Sequence, residues 1–470
     1  MNQPKISETT LQACDVTVLH PGSSAYEEAR QLWNGMIDRK PRMILQPADA
    51  DGVSAAVRFA RGHGLPIAVK GGGHSAPGYS MCGNDGVVID LGRLNAVSVD
   101  PATKRASVQG GALLRDLDVA TAPHALVVPA GAISHTGAGG LILGGGFGNI
   151  MRKFGLTIDS LVSVQMVLAD GKIVEASATE NPDLFWAVRG GSGNFGIATD
   201  FRFRCHDFGP QVYVSACIVE LEHAEVALKI WRSVMERDDT PDDLAWISLF
   251  RGAPQGTGFE WIPERLRGKP ILLMPIFWAG DLVQGEQVVT DLVRQLPVAA
   301  SVSGVAPWVA CQQQMDDVFA PGRRNYSKAG FMMDLPDSLF TKLVACAAAM
   351  PHPACQFEIL RLGGAVSRVD SHATAFPHRQ VRWPMNVIGL WDDAADDAVG
   401  TAWVRGVYDT FRPYLSGGSY VNYAGGDEDG GTSAVYGGTW DRLVELKEKF
   451  DPDNVFRFNF NLKRATADAA

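Results

Sequence analysis

The chain has 470 residues, 46% hydrophobic and 20% charged, which is enough apolar material for a large folded core and argues against disorder. Its net charge of −10 repels phosphate backbones and disfavours a nucleic-acid partner. No stretch approaches the roughly 20 unbroken apolar residues of a membrane-spanning helix, and residues 1–16 lack a signal-peptide pattern. Seven scattered cysteines without a C-x-x-C pair predict reduced thiols, no metal site and a cytoplasmic location.

The first 205 residues predict short strands with little helix between them. A strand over 42–46, a helix over 53–60 behind the capping candidates Asp49 and Asp51, and a strand over 66–70 form a compact βαβ unit. Further strands are predicted over 86–91, 96–99 and 106–109. Asp170-Gly171 predicts a hairpin between strands 163–168 and 172–176, and residues 182–188 predict a helix that ends at Gly190.

After about residue 205 the pattern changes to long alternating strands separated by helices. Strands are predicted over 211–221, 271–278, 355–365 and 385–391, and helices over 224–236, 284–296, 339–350 and 398–414. This alternation indicates an antiparallel sheet with helices on one face. Beyond Gly417 the chain is glycine-rich, and it then predicts a helix over 441–450 and a turn that leads into a final strand.

Glycine is the compositional outlier, with 51 residues concentrated in three segments. The first segment is Gly71, Gly72 and Gly73, directly after a predicted strand and followed by His74. Three residues without Cβ atoms permit positive φ and point successive N–H groups into one concavity, which suits a pyrophosphate. A plain tight turn is the alternative, and the neighbouring Lys70 and His74 favour a cofactor loop.

The second glycine segment covers residues 137–148 and the third covers residues 190–196. The third contains a literal G-x-G-x-x-G at 191–196, the fingerprint of a Rossmann dinucleotide-binding fold. That fingerprint requires a strand before it and a helix after it, whereas here a helix precedes it and a strand starting at Ile197 follows. A nicotinamide-binding Rossmann fold is therefore disfavoured, and a large dinucleotide such as FAD is long enough to span all three segments.

Six motifs follow one another along the chain and together resemble one family. They are KGGGHS at 70–75, GAGGLILGGGFG at 137–148, MRKFGLTID at 151–159, NPDLFWAVRGGSGNFG at 181–196, YVNY at 420–423 and FDPDNVFRFNFN at 450–461. They resemble the berberine bridge enzyme-like branch of the vanillyl-alcohol oxidase superfamily, which has a PCMH-type FAD-binding domain. The resemblance implies an α+β fold with a split FAD-binding domain, residues 1–205 and 418–470. The substrate-binding domain, with an antiparallel sheet and helices, would be residues 206–417.

The resemblance also implies how the cofactor is held. It places His74 in a covalent bond to the 8α-methyl carbon of the flavin, and it places Ile133 where many relatives have a second, cysteinyl bond, so a monocovalent FAD is expected. Thr136 falls where the family gates oxygen access, and its small side chain favours an oxidase. The other expected cofactor-binding residues are Lys70, Gly71, Gly72, Gly73, Ser75, Gly137, Gly140, Gly144, Gly146, Gly148, Gly193, Asn194, Gly196, Ile197, Tyr420, Asn422, Asn459 and Asn461.

The reaction requires a base, because a flavin oxidase removes a hydride while a proton leaves an O–H or N–H group. Tyr423 is the first candidate through the YVNY motif, although a phenol of pKa near ~10 needs a cationic neighbour or a hydrogen-bond partner. A tyrosine that only packs beneath the ring is the alternative. Relatives carry the base on the strand at 385–391, where this chain offers Asn386. Glu358 on the preceding strand is the substitute, and a structural ion pair is its alternative role.

The leading hypothesis is a covalent FAD oxidase that acts on a small organic molecule, such as an alcohol, phenol, amine or secondary metabolite. Oxygen would be the acceptor and hydrogen peroxide the product. A flavin dehydrogenase with another acceptor and a flavin-carrying protein that sequesters a ligand stay open as alternatives. The expected partners are the substrate and O₂, with no nucleic acid and no membrane, and the chain is expected to be a monomer or a homodimer.

Overall fold

The computed structural model describes residues 7–463, which form four sheets and fifteen α-helices. The strands are β1 (Val16–Leu19), β2 (Met43–Pro47), β3 (Ile67–Lys70), β4 (Val87–Asp90), β5 (Val97–Asp100), β6 (Arg105–Gln109), β7 (Leu126–Val127), β8 (Leu161–Val167), β9 (Ile173–Ser177), β10 (Ile197–Arg204), β11 (His206–Asp207), β12 (Gln211–Val219), β13 (Leu244–Trp246), β14 (Ser248–Gly252), β15 (Pro270–Trp278), β16 (Ala300–Pro307), β17 (Arg324–Met332), β18 (Gln356–Ile359) and β19 (Trp383–Trp391).

The helices are α1 (Glu8–Ala13), α2 (Ser24–Ala29), α3 (Ala50–Gly62), α4 (Leu114–Thr121), α5 (Ala138–Gly144), α6 (Met151–Phe154), α7 (Pro182–Val188), α8 (Ala224–Met235), α9 (Leu282–Gln295), α10 (Trp308–Gln313), α11 (Asp337–Ala348), α12 (Ala365–Arg368), α13 (Asp397–Phe411), α14 (Gly431–Tyr436) and α15 (Trp440–Phe450). Within residues 7–463, no helix combines the length and the apolar content needed to cross a bilayer.

Two sheets make up the N-terminal part of the molecule. The first has the order β1-β2-β4-β3, in which only β1 runs antiparallel, and the second is the antiparallel sheet β5-β6-β10-β8-β9. Helix α3 joins β2 to β3 as predicted, but β4 lies between these two strands. The helix begins at Asp49, whose carboxylate accepts a hydrogen bond from the Gly52 N–H at 2.7 Å. Its apolar side chains pack between the two sheets.

The third large unit is an antiparallel sheet of eight strands in the order β16-β12-β15-β14-β18-β19-β17, with β13 also pairing with β15. Helices α8, α9, α11 and α13 pack on one face, where Phe250, Leu272 and Phe357 point into their core. The α+β class with an antiparallel sheet covered by helices is confirmed. Because side chains alternate along each strand, the opposite face presents a second set of residues, and that face turns towards the N-terminal sheets.

After α13 the chain returns to the N-terminal half. Helix α15 packs against α7, and the Lys447 ammonium donates a hydrogen bond to the Asn194 carbonyl at 2.7 Å while it pairs with Asp451 at 2.7 Å. Residues from both ends of the chain therefore build one layer of the molecule. The domain limits at 205/206 and 417/418 stay predictions.

Two of the predicted strands differ from the structure. The strand expected over 355–365 is shorter, Gln356–Ile359, although the N–H groups of Leu360 and Leu362 still donate to the Pro384 and Arg382 carbonyls. Gly363 and Gly364, with φ of +117° and +55°, then turn the chain into α12. The final strand expected after the turn at 451–454 is absent, since no strand follows α15 within the described residues. The sequence pattern does not predict the short strands β1, β7, β11 and β13 or the longer strands β14, β16 and β17. Strand β17 buries Ser327 and Lys328, which hides its hydrophobic alternation.

Candidate active site

A cavity of about 1490 Å³ lies between the N-terminal half and the free face of the eight-stranded sheet. This exceeds the ~300–1,000 Å³ of a typical small-ligand site, so it has room for a large cofactor together with a substrate. One side is lined by the three glycine segments, residues 71–73, 137–148 and 190–196, here called the glycine wall. The other side is lined by side chains of β14, β17, β18 and β19, here called the sheet wall.

The first glycine segment follows β3 and contacts the second through the backbone. A Cβ on Gly72 would lie 2.3 Å from the Gly137 nitrogen, so only glycine permits this approach. Gly71, Gly73, His74 and Ser75 line the cavity together with Gly72 and Gly137. Lys70 does not, because its ammonium points back to the Ala29 carbonyl at 2.7 Å and to Asp90 at 3.4 Å.

His74 is held by two aromatic neighbours. Its Nε2 lies 2.7 Å from Nδ1 of His135, and its ring stacks on Trp33 with 5.1 Å between centroids. Its Nδ1 has no hydrogen-bond partner within residues 7–463. Burial, reinforced by His135, lowers the pKa of His74 to about 3. The imidazole is therefore neutral at physiological pH, which is the form that acts as a nucleophile.

The second segment divides into glycines that face the cavity and glycines that pack. Gly137, Gly140 and Gly148 line the cavity, and a Cβ on Gly140 would meet nothing within 4 Å. Gly144 and Gly146 lie behind this surface. A Cβ on Gly146, whose φ is +86°, would lie 1.9 Å from the Thr157 hydroxyl, and one on Gly144 would lie 2.2 Å from the Asn422 amide.

The third segment has α7 before it and β10 after it, so the sequence context that disfavours a Rossmann fold is confirmed. Gly193, Gly196 and Ile197 line the cavity, and a Cβ on Gly193 would also meet nothing within 4 Å. Asn194 is buried behind them, and its amide donates to the Gly191 and Phe460 carbonyls at 2.9 and 3.1 Å. The hydrogen bonds of Asn194 thus hold the segment on the side away from the cavity, and Gly193 leaves the side towards the cavity open.

The C-terminal segment closes the same wall. The Tyr420 hydroxyl accepts hydrogen bonds from the Gly146 N–H and the Asn422 amide, both at 2.8 Å, while its ring stacks on Phe147. Asn459 also lines the cavity and donates to the Gly193 carbonyl at 3.2 Å. Asn461 does not line the cavity. The Oδ1 atoms of Asn459 and Asn461 are buried without a hydrogen-bond partner.

These observations test whether the residues fit an FAD. One cavity has open backbone surface at Gly140 and Gly193 and a neutral imidazole at His74. The unpaired Oδ1 of Asn459 adjoins it. These residues therefore fit a large dinucleotide. Ile133 and Thr136 line it as well. Among the described residues Cys311 is the one cysteine in the lining, and burial raises its pKa to about 11, which keeps the thiol protonated. The binding roles assigned to Lys70, Gly144, Gly146, Asn194 and Asn461 stay predictions.

Strand register creates the sheet wall. Glu358 lies opposite both Leu249 and Asn386, and Gln356 lies opposite both Arg251 and Ile388. Residues paired across antiparallel strands share a face, so these side chains point into the cavity together. Ser327, opposite Ile388, continues the row. The polar members of the sheet wall are Arg251, Asn325, Ser327, Gln356, Glu358 and Asn386.

Glu358 and Tyr423 both line the cavity and interact electrostatically. Burial raises the pKa of Glu358 to about 7, and a hydrogen bond with Asn386 acts in the opposite direction. Burial raises the pKa of Tyr423 well above its ordinary value, and the negative charge of Glu358 adds to this shift. The cationic neighbour that a tyrosine base requires is not among the groups acting on Tyr423. Glu358 is therefore the group of this pair that titrates near neutrality.

Two polar residues of the cavity lining have no signal in the sequence. Arg251 and Gln356 were not singled out, because β14 was not predicted and nothing local shows which strands become neighbours. For His135 and His378 the sequence alone favours neither a structural nor a catalytic role. The structure places His135 against His74, outside the cavity lining. His378 also lies outside the lining, and its Nε2 bonds to the Val435 carbonyl at 2.9 Å.

Comparison with known proteins gives the same assignment. A family model described as FAD binding domain matches residues 41–177, and one described as berberine and berberine like matches residues 419–463. The uncharacterized FAD-linked oxidoreductase YvdP of Bacillus subtilis is 30% identical over 455 residues, which cover 94% of this chain and 96% of that protein. BBE-like 1 of Physcomitrella patens matches with a TM-score of 0.85 at 26% identity, covering 97% of this chain and 99% of that one.

A third likeness is to the xylooligosaccharide oxidase of Myceliophthora thermophila, solved with xylobiose, with a TM-score of 0.83 at 25% identity over 98% of this chain and 99% of that one. Fold and site thus define an FAD-linked oxidoreductase with a PCMH-type FAD-binding domain. The chain belongs to the berberine bridge enzyme-like family of these oxidoreductases. The family resemblance carried by the six motifs is confirmed.

Proposed function

We propose that this protein is an oxidase that carries FAD on His74, takes a hydride from a small organic substrate and uses O₂ as the electron acceptor. The observation that carries the proposal is that one cavity joins the glycine wall and His74 to a buried carboxyl group, Glu358, that titrates near neutrality. When bound, FAD supplies the hydride acceptor, and the two electrons and two protons taken from the substrate leave as H₂O₂.

The attachment through His74 is supported by its surroundings. We assign to His74 the tautomer in which Nε2–H donates to Nδ1 of His135; the lone pair of the neutral ring then lies on Nδ1, which we assign as the atom that bonds to the cofactor. Ile133 has no thiol, and the protonated Cys311 thiol is a poor nucleophile because the thiolate is the reactive form. A single covalent bond follows from these side chains.

Glu358 is the proposed base. A catalytic base works best when its pKa lies near the operating pH, and Glu358, with a pKa of about 7, meets this condition. Asn386 lies opposite it in the strand pairing and positions the carboxylate through their hydrogen bond. Tyr423, which stays protonated, is a hydrogen-bond donor to substrate or carboxylate rather than the base. Tyr423, the first candidate base from the sequence, therefore ranks behind Glu358.

Oxygen as acceptor is supported by Thr136, a small residue in the cavity lining at the family's oxygen-gating position. The xylooligosaccharide oxidase that resembles this chain is an oxidase by name. The two alternative functions are a flavin dehydrogenase that uses another electron acceptor and a flavin-carrying protein that only sequesters a ligand.

The test uses the purified holoenzyme. Acid precipitation should leave the yellow chromophore in the protein pellet, and a panel of small alcohols, phenols and amines should contain a compound that bleaches the flavin without oxygen. Adding air should then restore the colour with one H₂O₂ per substrate oxidised. Bleaching that only an artificial dye reverses would establish a dehydrogenase, and tight binding without bleaching would establish a sequestering protein.

A further inference from the structure

Arg251 is a charged residue of the sheet wall that lacks a charged partner. It lies on β14, is only 6% exposed and lines the cavity. Its Nε donates to the Gly252 carbonyl at 3.2 Å, and Nη1 contacts the Met315 sulfur at 3.8 Å. Within residues 7–463 it forms no ion pair with an acidic side chain.

Several other buried or half-buried arginines have more partners than Arg251. Arg361, which also lines the cavity, donates to two backbone carbonyls, those of Met235 and Arg382, at 3.0 and 3.4 Å. Arg379 pairs with Asp159 at 2.7 and 2.8 Å, and Arg323 pairs with Asp392 at 2.8 and 3.1 Å. Arg152, equally buried, donates to three backbone carbonyls, those of Leu244, Leu362 and Thr240. Arg251 has a single carbonyl and a weak sulfur acceptor, so most of its donor capacity is unused.

The charge on Arg251 persists in this environment. Burial, with a contribution from Arg323, lowers the pKa of Arg251 to about 10, and the group is still protonated at neutral pH. A buried cation without a counter-ion is unfavourable. Gln356, opposite Arg251 in the strand pairing, has a buried Oε1 without a partner. Two unsatisfied polar groups therefore point into the cavity side by side.

The rest of the sheet face sets the shape of the ligand. Beyond β14 it is apolar, with Leu273, Ala216 and Val302 in the lining. Arg251 lies diagonally across the strand pair from Glu358, a separation of roughly 7–8 Å between Cα atoms. Both residues line the cavity, so one small ligand can contact Arg251 and Glu358 together.

We propose that Arg251 is a substrate-binding residue and that the substrate is a small apolar or aromatic carboxylate whose reacting hydroxyl or amine lies at the end remote from the acid group. A guanidinium binds a carboxylate through two parallel hydrogen bonds, and Gln356 adds an amide donor at the same place. The positive charge of Arg251 has no ion-pair partner among the described residues and matches a carboxylate monoanion better than a phosphate dianion. Arg152 and Arg361 also line the cavity without an ion pair in this part of the chain, but their guanidinium groups donate to two or three backbone carbonyls each. This inference rests on the proposed function for the orientation of the substrate.

Binding is measured by calorimetry on the holoenzyme, with 4-methylbenzoate and hexanoate as probes and their neutral amides as references. Neither probe needs to be oxidised, so the result is independent of whether the protein is an oxidase. The acids should bind at least tenfold more tightly than the amides, and Arg251→Met should abolish this preference. Arg251→Lys should retain part of it, because the charge stays and the paired hydrogen bonds are lost.

Arg323→Met is the matched control, since Arg323 also lines the cavity but is already paired with Asp392; its effect on acid binding should stay below threefold. Without ligand, Arg251→Met should melt no lower than the wild type, because it removes an uncompensated charge. Equal binding of acids and amides, no measurable binding of either acid, or tighter binding of phenyl phosphate would overturn the proposal. Should Arg251→Met fail to fold, the test is the ratio of acid affinity to amide affinity in the wild type and in Arg251→Lys. A lower ratio in Arg251→Lys supports the proposal, and an unchanged ratio overturns it.

Discussion

The two walls of the cavity are built by different means. The glycine wall is largely backbone, and it presents main-chain groups because side chains are missing at residues such as Gly140 and Gly193. The sheet wall consists of side chains that four strands place in one row, among them Arg251 and Glu358. The first wall suits a ligand common to a whole family, and the second suits a substrate particular to this chain.

Burial acts on both walls in the same direction, and its consequence depends on the residue. It disfavours charge, so it keeps His74 neutral by lowering its pKa to about 3 and raises the pKa of Glu358 to about 7. The glycine wall thereby offers a neutral nucleophile, and the sheet wall offers an acid that exchanges its proton near neutrality. Arg251 keeps its charge in the same environment, which distinguishes it from both.

The largest expected effect is on the glycine wall. His74→Ala removes the imidazole that we assign to the covalent bond, so the flavin retained in an acid-precipitated pellet should fall from nearly all to none. Absorbance of the pellet and of the supernatant measures both fractions. Non-covalent FAD binding should persist in part, because the backbone contacts of the glycine wall remain.

Cys311→Ser is the control for this experiment. The Cys311 thiol lines the cavity but is protonated, so its removal should leave the retained fraction unchanged. Flavin that stays attached in His74→Ala and is lost in Cys311→Ser would contradict the assignment and identify a cysteinyl bond instead.

The second effect is on the sheet wall. Glu358→Gln keeps the shape of the side chain and removes the base, so kcat/KM should fall by about 10²–10⁴-fold, the usual contribution of general acid–base catalysis. In the wild type kcat/KM should rise as the pH rises through about 7, because the base acts only when Glu358 is deprotonated. The variant should lack this rise. If kcat/KM of Glu358→Gln still rose with pH at the same midpoint, a group other than Glu358 would be the one that titrates near pH 7.

The contrast between the walls also explains what the sequence revealed. The glycine segments, the helix before 190–196 and the strand after it are local patterns, so the cofactor type and the family followed from them. The pairing of β14 with β18 is a long-range event that local patterns do not encode, so Arg251 and Gln356 were missed. The sequence predicts cofactor contacts at Gly144 and Gly146 because it shows the missing Cβ, but it does not show that Asn422 and Thr157 lie where a Cβ would be.

A pair of glycine variants sharpens this distinction. Gly146→Ala should lower the free energy of unfolding by at least about 1 kcal/mol, because φ is +86° there and the new Cβ would meet Thr157. Gly140→Ala should leave stability unchanged or slightly higher, since it lies in α5 with open space beyond it, but should lower the flavin content. Thermal unfolding and the ratio of flavin to protein absorbance measure the two effects. Equal loss of stability in both variants would contradict the division into packing and cavity-facing glycines.

The smallest expected effect is at Tyr423, which lines the same cavity. If Tyr423 only donates a hydrogen bond, Tyr423→Phe should lower kcat/KM by about tenfold or less, in line with the ~0.5–1.5 kcal/mol of a typical hydrogen bond. The rise of kcat/KM with pH should persist, and its midpoint should shift little, because burial is the larger cause of the raised pKa of Glu358. Both are measured from one pH profile of oxygen uptake. A loss as large as that of Glu358→Gln, together with disappearance of the rise near pH 7, would instead make the phenol of Tyr423 the base and reduce Glu358 to a residue that positions it.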